Sequence, residues 1–463
     1  MIPFHRVTNS STDRRDRTVF SGATLAGALV LAFALVSAGE SVMLGSLTQL
    51  DGTAGCVSES GTGGLCTGGV ALNGAFSVAV SPGGKHVYVT SQDSKAVAAF
   101  SRHKATGALT QLAGTAGCVS EDGSGGLCTD GVALDIPQSV TISPDGKHIY
   151  VASFDSDAVA VLSRNKATGA LTPLAGTGGV GTDGARSVAV SPDGKHVYVA
   201  SSDSSAVAVF SRNKATGALT QLAGTAGCVS DTGTGGLCTD GVALDLAFSV
   251  TVSPDGKHVY VASIVSGAVA VFSRNKATGA LTQLLGTAGC LSEDGTGGAC
   301  TDGKALVGAR SVAVSPDGRH VYVASGVSHA VAVFSRNKGT GALTQLAGTL
   351  GCVSKDGTGG DCTDGTALAG ANFVTVSRDG RNVYVASSDC CSGAVAVFSR
   401  NKATGALAQL AGTLGCVSED GTGGACTNGK ALVGALSVTV SRDGKNVYVV
   451  SAFSDAVAVF TRD

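Results

Sequence analysis

Arg186 and Arg310 each stand immediately ahead of a Ser-Val-Ala-Val run, at a repeat position where the other units place Phe76, Gln138, Phe248, Asn372 and Leu436. Twelve of the 14 Cys fall into six pairs of one spacing. They are Cys56 with Cys66, Cys118 with Cys128, Cys228 with Cys238, Cys290 with Cys300, Cys352 with Cys362, and Cys416 with Cys426. Pairs of this kind form local disulfides or ligate metal. Zinc sites favour closer Cys spacing and four ligands, so six disulfides are expected. The linker between Leu174 and Ser187 is shorter than its counterparts and lacks both Cys, as bonded partners would be lost together. Cys390 and Cys391 are adjacent in an insertion, readable as a strained vicinal disulfide, as two thiols oxidised elsewhere, or as an exposed loop insertion alone. The Cys segments also carry carboxylates among glycines, such as Glu121, Asp122 and Asp130. These could hold Ca²⁺, but no loop has the Asp-x-Asp-x-Asp-Gly pattern and turns use Asp and Gly for backbone reasons. No other cofactor is expected.

Histidine gives no catalytic signature. His86, His148, His196, His258 and His320 share one repeated position, occupied by Asn382 and Asn446 in the last two units, where a turn-capping role is expected. His329 alone is unusual, in an inter-strand loop where other units place Lys95, Asp157, Ser205 or Asp455. No Ser-His-Asp order, His-rich metal spacing or phosphate-binding glycine loop is present.

The elements that position these residues are written seven times. The block Ser-Val-Ala-Val-Ser-Pro-Asp-Gly-Lys-His-Val-Tyr-Val-Ala-Ser recurs with inner strands starting at Ser77, Ser139, Ser187, Ser249, Ser311, Phe373 and Ser437. All 7 Tyr (88, 150, 198, 260, 322, 384, 448) hold one repeat position. Each unit reads as four strands with period-two alternation: SVAV, VYVAS, AVAVF and ALTQL. The last unit stops after three strands, and the missing fourth appears at the other end as Ser46–Leu50. The expectation is an all-β, seven-bladed β-propeller of four-stranded blades, closed by the N-terminal strand completing the C-terminal blade.

In a near-perfect repeat, specificity lies in what varies. The residues leading into the inner strands differ most: Phe76, Gln138, Arg186, Phe248, Arg310, Asn372 and Leu436. They should ring one mouth of the central channel, beside loops carrying Asp93, Asp155, Asp203 and Asp389. A mixed concave site of this composition suits a small ligand or a peptide. Acidic Cys segments should lie at one end of the molecule and the basic Ser-Arg-Asn-Lys turns at the other.

Residues 1–38 read as an export signal: basic residues at Arg6, Arg14, Arg15 and Arg17, an apolar Leu25–Val36, then small residues at Val36-Ser37-Ala38. An uncleaved anchor over Thr18–Ala38 is the alternative. Residues 39–463 form the single propeller. The 14 Cys point away from a reducing cytosol, to a secreted, periplasmic or cell-surface protein. The formal net charge of −2 gives no basis for nucleic-acid binding.

SPDGKHVYVAS followed by AVAVFSRNKATGALTQL is similar to blades of the lactonase-like, YVTN-type seven-bladed propellers, over about residues 46–463. That resemblance implies a 6-phosphogluconolactonase-like fold, and for its enzymes the opening of a sugar lactone. Such enzymes often carry an Arg-His pair before an inner strand. Here Arg186 and Arg310 match the Arg, while Ser187 and Ser311 occupy the His position. The leading expectation is therefore an exported, monomeric binding or scaffold propeller, using its channel mouth and disulfide-braced loops toward a small molecule or a cell-envelope or protein partner. Lactone hydrolysis through Arg186 or Arg310 is the alternative, and Ca²⁺-dependent surface adhesion a third reading.

Overall fold

The structure, a computed structural model, describes residues 45–389 and 392–463. The export-signal segment and Cys390-Cys391 lie outside the described residues. Seven sheets form seven blades whose inner strands begin at Ala75, Pro137, Ala185, Ala247, Ala309, Ala371 and Ala435; pairing is antiparallel except for a two-residue parallel strand at the outer edge of every blade but blade 2. Among the described residues no helix is long and apolar enough to cross a membrane.

Blades 2 to 5 share one turn, while blade 1 has Gly83 in place of its Asp and blades 6 and 7 have Arg378 and Arg442 in place of its Pro. In blade 2, Pro137–Ile142 pairs with His148–Ser153 across Ser143-Pro-Asp-Gly146. The Ser143 hydroxyl donates to Asp145 Oδ1 and Gly146 takes φ 70°, a left-handed conformation that glycine adopts without strain. Ala158–Arg164 follows as the third strand. Its Val and Ala side chains are buried on both faces because a blade is sandwiched between neighbours.

The fourth strand departs from the expected single ALTQL run. In blade 1, Leu109–Gln111 pairs with only Phe100–Arg102, and after one turn of 3₁₀ helix Cys118–Ser120 pairs with Ala96–Ala98. The outer edge is thus filled in two pieces. Blade 2, which has no Cys pair, fills the same edge with the continuous strand Leu171–Thr177.

The six expected disulfides are all formed, each with a Cα–Cα distance of 4.8 Å: Cys56 to Cys66, Cys118 to Cys128, Cys228 to Cys238, Cys290 to Cys300, Cys352 to Cys362, and Cys416 to Cys426. The two members of a pair are placed differently. Cys56, Cys118, Cys228, Cys290, Cys352 and Cys416 each open a short outer strand. Cys66, Cys128, Cys238, Cys300, Cys362 and Cys426 each lie in the bend that follows the second 3₁₀ turn, just before a two-residue strand. All twelve are buried, so the pairs fasten the loops to their blades and do not line the mouth.

Closure follows the expected plan with an addition. Leu47–Gln49 pairs with Phe460–Arg462, and Cys56–Ser58 pairs with Ala456–Ala458, completing blade 7. Backbone pairing is not alone at the joint between blades 7 and 1. Val78, Val87 and Phe100 of blade 1 pack with Tyr448, Val450 and Val457 of blade 7. Arg102 also reaches back, donating Nε to Tyr448 Oη at 2.7 Å and Nη2 to Asp443 at 3.0 Å.

That arginine belongs to a clamp repeated in every blade, and the clamp corrects the expected turn-capping role of the repeated histidines. In blade 2, Arg164 donates Nε to Tyr88 Oη at 2.7 Å, Nη1 to its own Gly146 carbonyl at 2.9 Å and Nη2 to His86 Nδ1 at 2.7 Å. Tyr88 Oη in turn donates to the Gly169 carbonyl of blade 2. The turn itself is held by Ser, joined by Asp in every blade but the first, where Gly83 stands; the histidine is an acceptor for the next blade. Asn382 and Asn446 take over that acceptor role with Oδ1. Burial pushes the Tyr88 hydroxyl up to about 12, so it stays protonated.

Candidate functional site

All seven blades share a register shift at the start of the inner strand, between Ala75 and Ser77 in blade 1 and between Ala309 and Ser311 in blade 5. One residue is left out of the ladder there, as in a β-bulge, which re-aims a side chain. The residues left out are Phe76, Gln138, Arg186, Phe248, Arg310, Asn372 and Leu436, the positions that vary most in sequence. All seven line one cavity of about 440 Å³ at the channel mouth. The serines that follow are committed elsewhere: Ser77 Oγ accepts from Val140 N–H, and Ser139, Ser187, Ser249 and Ser311 do the same for the next blade.

The two arginines are held differently. The Arg186 guanidinium lies 3.9 Å from the Phe154 ring centroid and 5.4 Å from that of Phe248, and Nε donates to Ser202 Oγ at 3.1 Å. Burial lowers its pKa, while Asp203 and Asp155 pull the other way. Arg310 donates Nη1 to Asn372 Oδ1, and its Nε is buried without a partner. Gly326 makes the room for it: a Cβ there would come within 2.9 Å of that Nε. Burial lowers the Arg310 pKa with no carboxylate opposing it. Gln138, only 3% exposed, has its Oε1 without a partner.

The expected arc of carboxylates is not part of the cavity wall. Asp93, Asp155 and Asp203 are exposed in the loops beyond it, and the Asp389 side chain lies outside the described residues. Four apolar lining residues, Ile136, Phe154, Ile264 and Phe373, are not foreseen at the mouth from the sequence. For Ile136 the signal is present. One aligned position reads Gly74, Ile136, Gly184, Leu246, Gly308, Gly370 and Gly434, with two large residues among five glycines. Ile136 and Leu246 hold φ of 49° and 57° where the others use glycine. A β-branched residue at positive φ is strained, and such strain gathers at functional sites.

The acidic Cys segments use their carboxylates within the loops. Glu121 Oε2 accepts from Leu134 N–H, and Asp122 Oδ1 accepts from Ser124 N–H at 2.9 Å. No group of three or more His, Cys, Asp or Glu among the described residues is placed to hold a metal ion. His329 Nδ1 accepts from Gly370 N–H at 2.9 Å, as Asp157 does from Gly184 N–H, so it joins two blades.

The profile of the family described as "Lactonase, 7-bladed beta-propeller" matches residues 137–230 and 295–414. Over these two stretches the chain is similar to that family, and its fold is the same seven-bladed propeller. A candidate 6-phosphogluconolactonase from Bacteroides uniformis is similar at 20% identity and a TM-score of 0.53, covering 72% of this chain and 82% of its own. The periplasmic gluconolactonase of Pseudomonas aeruginosa is similar at 18% identity and a TM-score of 0.51, covering 79% and 88%. A hydrazine synthase structure from Kuenenia stuttgartiensis is similar at 18% identity and the same TM-score, covering 85% and 97%. At these identities the likeness is one of fold. No curated protein matches the chain.

Proposed function

We propose that this lactonase-like propeller is an extracytoplasmic binding module that captures a small organic ligand in its channel mouth. The observation that carries this reading is the shared bulge: each blade aims its one freely varying residue into the same 440 Å³ cavity, within the range of small-molecule sites. The lining supplies guanidinium, amide, hydroxyl and aromatic groups, which recognise. Among the described lining residues there is no imidazole or carboxylate to move a proton. Six disulfides support an oxidising compartment.

The test is a thermal-shift screen of a broad metabolite library, repeated on Leu436→Trp, which fills the cavity. Ligands present at 100-fold their Kd should stabilise the native protein by about 2.7 kcal/mol and lose that effect in the variant. Hits indifferent to Leu436→Trp would overturn the reading. The lactonase-like fold favours a second reading, hydrolysis of a sugar lactone with Arg186 or Arg310 polarising the carbonyl. Turnover of a sugar-lactone panel above buffer, lost in Arg186→Gln or Arg310→Gln, would establish it in place of simple capture.

A further inference from the structure

Apolar side chains gather in one arc of the cavity wall: Phe76, Ile136, Phe154, Phe248 and Ile264 come from blades 1, 2 and 4, with Gln138 and Arg186 set among them. Arg310 and Asn372 come from blades 5 and 6, beside Phe373 and Leu436. We propose that the mouth takes an amphiphilic monocarboxylate, with its carboxylate on Arg310 and its apolar body along the aromatic arc. The proposal rests on the reading of the mouth as a ligand site and adds the class of ligand.

Charge accounting sets the head group at a single negative charge. Arg186 is already answered in large part: rings cover its guanidinium, Ser202 accepts from Nε, and the fields of Asp203 and Asp155 oppose the effect of burial without cancelling it. Arg310 is not. Its one hydrogen-bond partner is the neutral Asn372, Nε is unpaired, and no carboxylate forms an ion pair with it among the described residues. A half-buried cation without a counter-ion is costly, and a carboxylate is the planar anion that matches a guanidinium fork. A dianion would bring a second charge to a site with one unanswered cation among the described residues. The unpaired Gln138 amide oxygen adds an acceptor on the apolar side, suited to a hydroxyl or N–H on the ligand body.

The apolar arc gives the body its place. Phe154 and Phe248 already hold the Arg186 guanidinium, which leaves a flat cation–aromatic surface against which an aryl or alkyl group stacks. Ile136 keeps its strained backbone on the same wall as Phe154, which enlarges that surface at a position where five blades have only glycine.

The experiment is calorimetric titration of the whole protein with a matched set: 3-phenylpropanoate, octanoate, 3-phenylpropan-1-ol, 3-phenylpropylamine and phenyl phosphate. Both carboxylates should bind, and the alcohol, amine and phosphate at least roughly 10-fold more weakly, the scale of one charge-assisted hydrogen bond. Arg310→Gln should weaken 3-phenylpropanoate by roughly 10- to 100-fold and leave the alcohol within about threefold. Asn372→Ala should weaken it less, and melting of both variants near the parent temperature shows that they fold. Equal binding of acid and alcohol, tightest binding of phenyl phosphate, or binding only of library compounds without a carboxylate would overturn the ligand class. In those cases a loss of binding in Leu436→Trp still upholds the mouth as the site. If no compound's binding responds to Leu436→Trp, the site itself is wrong.

Discussion

Replacing the five clamp histidines with asparagine should remove most of the acid sensitivity of the fold between pH 6.5 and 4. Each histidine offers Nδ1 to an arginine Nη2 of the next blade, at 2.6–2.8 Å in the pairs His86–Arg164, His148–Arg212, His196–Arg274, His258–Arg336 and His320–Arg400. Arginine only donates, so the histidine must be neutral with its lone pair on Nδ1. Burial first, then the arginine charge, pushes His86 down to about 4, and the other four move the same way for the same leading cause. In the unfolded chain each histidine titrates near the ordinary value of about 6.5. Between about 6.5 and 4 the unfolded state therefore binds more protons, and stability falls as pH falls. The clamp contribution is fully present above pH 6.5 and is lost on the way down to about 4. The His86 shift alone corresponds to about 3 kcal/mol at 1.36 kcal/mol per unit, which partial solvent screening reduces to about 1 kcal/mol. The assay is guanidinium unfolding at half-unit steps from pH 7.5 to 3. The fivefold His→Asn variant, copying the Asn446 and Asn382 clamps already present, should be nearly flat down to pH 4 while the parent falls steadily. Below pH 4 both should lose stability again, because burial is outweighed by hydrogen bonds and Arg212 in holding Asp145 at about 2. A parent and variant that fall in parallel between pH 6.5 and 4 would refute the clamp as the pH-sensitive element.

Two further predictions concern what holds the ring. Deleting residues 39–51 removes the Leu47–Gln49 strand and leaves Phe460–Arg462 without a partner on that side, while Cys56–Ser58 still covers Ala456–Ala458. Size-exclusion chromatography should show association through this open edge, and melting should fall; a soluble monomer with unchanged melting would contradict the closure scheme. Reducing the six disulfides, each spanning a sequence separation of 10, should cost about 2–3 kcal/mol per loop and lower the melting temperature. The β-sheet circular dichroism should survive mild reduction at 25 °C; its complete loss would mean that the disulfides, rather than the sheets and clamps, hold the blades.

The blades are legible in the sequence because their signals are local and repeated. Pro-Asp-Gly fixes the turn, Val-Ala alternation fixes the strand, and the three-stranded last unit points to the first strand of the chain. The paired loss of two Cys before Ser187 makes the disulfides legible too. What the sequence hides depends on contacts between distant segments. His86 and Arg164 are 78 residues apart, and nothing in the text around His86 names its partner, so a turn role is the nearest local reading. The Cys-Val-Ser strand has only 3 residues, too short to show a period, and is a strand solely because the third strand of its blade has an open upper edge.

The mouth shows the same division from the other side. Variation at Phe76, Gln138, Arg186, Phe248, Arg310, Asn372 and Leu436 is visible, but that these side chains share a cavity follows from a bulge, which is a property of strand pairing. Asp93, Asp155 and Asp203 stand beside them in the repeat yet sit outside the wall, because their loops lie past the end of the ladder. The repeat also explains why variation can gather at the bulge. The serine after it bonds the next blade, the tyrosine, arginine and histidine clamp the opposite end, and the valines fill the space between. A bulged residue takes no part in these contacts. Changing it leaves the ladder and the clamps intact, so seven side chains can be exchanged for binding at little cost to the fold. The exceptions are Ile136 and Leu246, where large residues carry a strained φ that glycine would relieve. Of the two, Ile136 lines the cavity, so there the shape of the mouth outweighs the backbone strain; Leu246 stands outside the wall.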